Sequence, residues 1–293
     1  MHTHEHHGGA KSLSLALGVT ATIFFVELIG GALAGSLALM SDAMHMLSDS
    51  TGLVVALVAT LIARRAADAK STYGYKRLEV FAAMLNAATV VGVSIWIVLE
   101  AFHRLGDGIQ VDAGTTLIIG VIGLVANVLS ASVLHRDKDQ NLNVEGAYLH
   151  VLVDLFGSIA VIVSSALMML GWMWADTVAS LMIAALIFPR AVQLLMKSMN
   201  VLMERVPSDV DLASIEQRML EIRGVEAIHD LHVWSLDGNE ALATCHVVVE
   251  KHMGDCGILD SVQAALKEQG VGHSTIQIEL SQHRSHEDVC QPR

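Results

Sequence analysis

The chain is poor in several things that most proteins use. It has three cysteines and three prolines in 293 residues, 4% aromatics and 16% charged residues, against roughly 25% charge in a soluble domain. Cys245, Cys256 and Cys290 form no Cys-x-x-Cys pair, which excludes a disulfide scaffold. None lies in a stretch long enough to span a membrane, which argues against a thiolate path for Cu(I). The proline content rules out collagen-like and proline-rich linker architectures, and the low charge rules out disorder. Basic residues are outnumbered, 18 Lys+Arg to 30 Asp+Glu, for a formal net charge of −12. A nucleic-acid partner, which needs a positive field, is therefore not expected. No Gly-x-x-x-x-Gly-Lys phrase occurs, so nothing marks a nucleotide-driven machine. What is abundant is hydrophobic residues, 53% of the chain, with fifteen histidines and fourteen methionines. This is the composition of an integral membrane protein with an acidic appendage.

A bilayer-spanning helix needs about 20 mostly apolar residues. Six stretches qualify: Leu13–Leu33, Leu37–Ala63, Leu78–Phe102, Ala113–Leu134, Asn141–Leu170 and Ala175–Met196. The first exceeds the apolar core of about 7–15 residues typical of a signal peptide, and more spans follow it. With the amino terminus in the cytoplasm, Lys11, Arg64, Arg65, Lys70, Lys76, Arg77, Arg136 and Lys138 all fall inside, leaving Arg104 outside among the short connections. The positive-inside rule then puts both termini in the cytoplasm of a multi-pass protein, in the cell membrane or, in a eukaryote, an organelle membrane. Trp172 and Trp174 fall at the outer turn between the last two spans, where interfacial aromatics belong. Three parts are expected: a His-bearing tail over 1–11, a six-span all-α membrane domain over 12–200, and a cytoplasmic domain over 201–293.

After Pro207 the pattern changes. Leu212, Ile215, Met219 and Ile222 recur at helical spacing before Gly224. An Asp237-Gly238 turn joins two strand-like runs, Val225–Leu236 and Ala241–Glu250, as in a hairpin. A second helix near Gly257–Glu268 and a strand from Ser274 to Leu280 complete the order α-β-β-α-β, a small open-faced α+β domain. Residues 204–293 hold sixteen acidic and seven basic side chains, a net −9. Most of the chain's charge is therefore local to this domain.

Ionisable groups inside spans are costly and are functional suspects by default. The second span carries His45-Met-Leu-Ser-Asp49 and the fifth His150-Val-Leu-Val-Asp154. Residues four apart share a helix face, so each helix presents an imidazole and a carboxylate one turn apart. Asp49 lies 14 residues from Ala63, and Asp154 lies 14 from Gln140, just ahead of the fifth span; at 1.5 Å per residue both are about 21 Å in. The helices run antiparallel, and the four groups can meet at one level. A single His–Asp pair could be a local hydrogen bond, but two identical pairs point to a divalent-metal site of four ligands.

Two imidazoles and two carboxylates suit Zn²⁺, with Co²⁺ and Cd²⁺ as alternatives, and Fe²⁺ and Ni²⁺ within tolerance; an all-oxygen site would suit Mn²⁺ or Mg²⁺. Metal loading requires neutral histidine and ionised aspartate. Proton loading therefore expels the metal, and a proton/metal exchange is the economical expectation. A non-transporting membrane metal sensor is the rival from another class; mid-bilayer ligands argue against it.

The chain resembles the cation diffusion facilitator family, in its zinc-transporter branch. The resemblance covers essentially the whole length. It is carried by the six spans, the paired His45/Asp49 and His150/Asp154, Ser36-Leu-Ala-Leu-Met-Ser-Asp-Ala-Met-His45, Tyr73-Gly-Tyr-Lys-Arg77-Leu-Glu-Val, Leu202-Met-Glu204 and His229-Asp-Leu-His232-Val-Trp234. It implies a secondary transporter, not an enzyme, that exports zinc-type cations by proton antiport and alternating access. It also implies a homodimer and a ferredoxin-like cytoplasmic domain. From the family's cytoplasmic metal positions it carries over His232, His246, His273 and Glu279, where Zn²⁺ would act as a regulatory ligand. The family also places an aspartate at Asp42, one turn outward from His45, as an exit-path residue.

Two features depart from the family. The loop His135–Val144 has one histidine where many members have a His-rich run, and Asp68 alone remains of a ligand cluster used by some bacterial members. The amino-terminal His2, His4, His6 and His7 are candidates for local metal capture, and Cys290 with His283 and His286 for tail ligands. Glu27, Asn86 and Asn127 either line the cavity or bond between helices.

Overall fold

The computed structural model describes residues 6–47, 67–107, 111–135, 142–250 and 257–282. Asp49, His2, His4, Cys256, His283, His286 and Cys290 lie outside the described residues. The element order is α1 (His6–Ala34), α2 (described over Leu37–Leu47), α3 (Lys76–Asp107), α4 (Ala113–His135), α5 (Leu142–Met169), α6 (Ala175–Leu202), α7 (Leu212–Leu220), β1 (Val225–Ser235), β2 (Ala241–Val249), α8 (Gly257–Glu268) and β3 (Val271–Leu280). Helices α3 to α6 are each long and apolar enough to cross a membrane, while Gly18–Ala34 and Leu37–Leu47 are shorter apolar segments. The chain divides into two compact units, one of residues 1–57 and 85–195, the other of 58–84 and 196–293.

In the first unit, α2, α4, α5 and α6 share a core of Ala38, Leu39, Ile119, Val161, Ala179 and Ile183. Helix α1 joins through Ile23 and Phe24, which pack on Ala43 and Met46 of α2. The turn from α1 into α2 needs Gly35, whose φ is 68°, a conformation that an L side chain resists. The freed amides at the start of α2 are then met from another helix. Asp176, buried at the head of α6, accepts from the Ser36 hydroxyl at 2.6 Å, Leu37 N at 2.8 Å and Ala38 N at 3.3 Å. A carboxylate at a helix N-terminus also opposes the positive end of the helix dipole. Asp112 does the same locally for α4, accepting from Gly114 N at 3.1 Å and Thr115 N at 3.2 Å; these bonds, led by the Thr115 hydroxyl, hold its carboxyl below the usual carboxylate range. At the turn between α5 and α6, Trp172 and Trp174 stack 5.8 Å apart and stay exposed.

In the second unit, Asp211 caps α7 by accepting from Ala213 N at 3.0 Å. Gly224 (φ 95°) ends the helical segment and Gly238 (φ 85°) turns the hairpin. Strands β1 and β2 pair antiparallel, and β3 adds parallel to β2, giving the sheet order β1-β2-β3. Alternate residues of β2, Ala243, Cys245, Val247 and Val249, pack on Ile215 and Met219 of α7 and Val262 and Leu266 of α8. Thr244 and His246 therefore point to the opposite, helix-free face. The third strand begins at Val271, three residues ahead of the expected Ser274, since Gly270 (φ 86°) already ends α8.

Candidate metal centres

The membrane unit brings His45 of α2 against His150 and Asp154 of α5. His45 Nε2 lies 3.8 Å from one Asp154 carboxylate oxygen, and His150 Nε2 lies 3.6 Å from the other. The imidazoles meet edge to face with centroids 5.9 Å apart. These separations exceed a hydrogen bond. They approach the spacing of about 3.3 Å expected of two ligands on one tetrahedral zinc with bonds near 2.0 Å. Asp154 is 1% exposed, His45 14% and His150 28%, so the carboxylate is the deep member and the histidines face a more open side. The helix pairing is set by small residues: a Cβ on Gly120 would come within 3.0 Å of Val161, so glycine there lets α4 lie close on α5. Asp42, the candidate exit-path residue, is 1% exposed, and its carboxylate abuts Gly157 of α5.

A second cluster forms on the helix-free face of the sheet. His246 Nδ1 is 2.9 Å and His229 Nε2 is 3.2 Å from the two Glu279 oxygens, and the ligand atoms of all three lie within 4.8 Å of one another. The Glu279 side chain is 1% exposed and also accepts from Gln277 Nε2 at 2.7 Å. Two imidazoles and a carboxylate at these spacings form a facial set of three ligands for a zinc-type ion, with the fourth position open.

His229 is the member that sequence reasoning missed. Strict alternation along β1 places His229 and His232 on opposite faces. The register shifts between them: His229 pairs with His246 and His232 with Thr244, while Asp230 takes φ 52°. This β-bulge adds a residue and restores both histidines to one face. Aspartate is among the few side chains that tolerate the left-handed region, which is the one sequence signal available. His232 shares the face but bonds Asp230 at 2.9 Å and is half exposed. It lines a cavity of about 880 Å³ with Lys70, Tyr73, Arg77, Glu204 and Trp234. Asp230 also approaches His246 Nε2, at 3.8 Å, so His232 is tied to the cluster through Asp230. His273 is on the same face, opposite Leu242. It is six residues from Glu279, about 20 Å along a strand, so the two cannot hold one ion within a single chain.

Three of the phrases that carried the resemblance, those at residues 73–80, 202–204 and 229–234, also lie in this unit. Arg77 of α3 pairs with Glu204, which follows α6 in a left-handed conformation (φ 55°), and Lys76 Nζ is 3.3 Å from Glu240. Asp68 sits just ahead, accepting from Lys70 N and Ser71 N at 2.7 Å each. These amides, with the Tyr75 hydroxyl, hold its carboxyl below the usual range.

Residues 13–203 match the cation efflux transmembrane domain, and residues 207–281 match the cation efflux cytoplasmic domain. The chain belongs to the cation efflux family. Cation efflux proteins similar to it include the metal cation efflux system protein CzcD of Cupriavidus metallidurans, 41% identical over 96% of this chain and 90% of the relative. The zinc transporter ZitB of Escherichia coli is 39% identical over 95% and 92%. The cadmium, cobalt and zinc/H⁺-K⁺ antiporter of Bacillus subtilis is 38% identical over 99% and 96%. The chain is a multi-pass membrane transporter of metal cations, a secondary active carrier and not an enzyme.

Proposed function

We propose that this protein exports Zn²⁺ from the cytoplasm in exchange for protons, by alternating access to a site of His45, Asp49, His150 and Asp154. The observation that carries the reading is the placement of His45 and His150 on either side of the buried Asp154 carboxylate. A proton arriving on Asp154 or an imidazole removes a lone pair from the metal, and a metal arriving displaces the proton. The two cargoes therefore exclude each other, which is the elementary requirement of an exchanger. Both termini face the cytoplasm, in keeping with the distribution of basic loop residues. Cd²⁺ and Co²⁺ are further cargoes, since the same ligands accept them and the Bacillus relative is named for them.

The chain works as a homodimer through its cytoplasmic domain, a reading supported by the match to the family's dimer domain. Zn²⁺ bound by His229, His246 and Glu279, with Asp230 and His232 beside them, offsets the repulsion between two domains of net −9. By binding the closed dimer more tightly than the open one, it shifts the population toward closure.

The test is uptake of Zn²⁺, Cd²⁺, Co²⁺ and Mn²⁺ into proteoliposomes under an imposed pH gradient. Zinc, cadmium and cobalt should accumulate and manganese should not. Asp49→Ala and Asp154→Ala should each abolish zinc flux; normal flux in either would sink the assignment.

A further inference from the structure

Beside the histidine-bearing site the membrane unit holds a second set of buried polar groups with no histidine in it. Glu27 of α1 and Asp42 of α2 are each 1% exposed, and both Glu27 oxygens and Asp42 Oδ1 have no hydrogen-bond partner. Asn127 of α4, also 1% exposed, donates Nδ2 to the Ser158 hydroxyl at 3.2 Å and leaves its own Oδ1 unpaired. Two glycines shape the space. A Cβ on Gly123 would strike the Glu27 carboxylate and lie 3.4 Å from Ser158 Oγ, and a Cβ on Gly157 would strike the Asp42 carboxylate. Glu27 thus reaches the contact between Gly123 and Ser158, and Asp42 reaches the residue next to Ser158.

Burying carboxylates without partners is costly, and a proton or a cation must offset the charge. Helices α4 and α5 and the described part of α2 contain no Lys or Arg, and Lys11 of α1 is sixteen residues from Glu27, about 24 Å along a helix. The donors are carboxylate, amide and hydroxyl oxygens only, the set that hard cations prefer and that does not favour zinc. Mg²⁺ keeps several waters in its shell, which a glycine-walled, closed space leaves little room for. We propose that Glu27, Asp42, Asn127 and Ser158 form a site beside the zinc ligands for one alkali cation, Na⁺ or K⁺, with a proton offsetting the second carboxylate. It lies one helical turn from the zinc ligands on both α2 and α5, since Asp42 is three residues from His45 and Gly157 three from Asp154. Like charges that close oppose one another, and by linkage zinc and the alkali ion weaken each other's binding reciprocally. Alkali binding itself does not depend on the transport reading.

Equilibrium binding of radiolabelled Na⁺ and Rb⁺ (standing for K⁺) to the purified, zinc-free full chain tests the site. Saturable binding of one of them is expected, weakened at least about tenfold in Glu27→Gln and in Asn127→Leu, and retained in His150→Ala. Zinc binding with unchanged stoichiometry shows that the first two variants are folded, and either of them suffices. No saturable binding to the wild-type chain, as when protons alone neutralise the carboxylates, would overturn the proposal. So would undiminished binding in a folded variant at position 27 or 127, or loss in His150→Ala, which would assign the ion to the zinc site.

Discussion

At the scale of single residues, the two candidate centres differ in how a carboxylate is used. Asp154 is enclosed and flanked by two imidazoles at 3.6 and 3.8 Å, so if the proposed site holds the cargo, each loss of a ligand atom would fall directly on it. Even outer-shell changes at metal sites cost 10–100-fold; Asp154→Asn should reduce zinc flux at least about 100-fold. His45→Asp should shift preference toward harder ions such as Mn²⁺, read as the ratio of manganese to zinc uptake. In the cytoplasmic cluster Glu279 bridges two histidines, and His229→Ala should weaken zinc binding there about tenfold or more, while His232→Ala should do less. Calorimetry on the full chain carrying Asp154→Ala isolates that site; equal effects of the two changes would contradict the cluster. Cys245 plays no part in either centre. It is 1% exposed and burial pushes its thiol up to about 11, so the reactive thiolate is scarce at neutral pH. Peptide mapping after maleimide treatment at pH 8 should find Cys245 unlabelled in the folded protein and labelled after denaturation.

At the scale of elements, much of the arrangement was legible because its causes are local. Apolar length alone marks the four long helices α3 to α6, and Asp237-Gly238 marks the hairpin, as the structure has both. The pairing His45/His150/Asp154 was legible because a helix repeats every 3.6 residues and the motif occurs twice. The β-bulge was not legible, because a bulge changes the parity of a strand through one residue's φ and leaves hydrophobic alternation almost unaltered. Asp230→Val should expose this dependence. A β-branched residue resists φ 52°, the strand should regain regular pairing, and His229 and His232 should separate to opposite faces with loss of cytoplasmic zinc binding. Asp230→Gly keeps the backbone and should keep most of that binding. Asp176 was equally invisible, since nothing in the sequence ties residue 176 to residues 36–38. With three donors converging on it in a buried place, Asp176→Ala should destabilise the protein by about 1–3 kcal/mol and lower its thermal midpoint in detergent. No change in the midpoint would mean that α2 is held by packing alone.

At the scale of the whole molecule, net charge −12 is concentrated in the carboxyl-terminal part, which carries −9. If two such domains face each other, added salt screens the repulsion within about a Debye length, and zinc at the histidine cluster removes part of it outright. Sedimentation of the full-length protein in detergent should therefore show tighter dimers with either salt or zinc. The zinc effect, but not the salt effect, should disappear in His229→Ala. In the proposed exchange, metal and proton compete for the same four side chains. Recording zinc and pH together inside vesicles that contain the purified protein and no other ion gradient tests this most directly. Zinc entry should be matched by proton exit, and Asp154→Ala should abolish both; zinc entry without any metal-dependent proton movement would contradict the account.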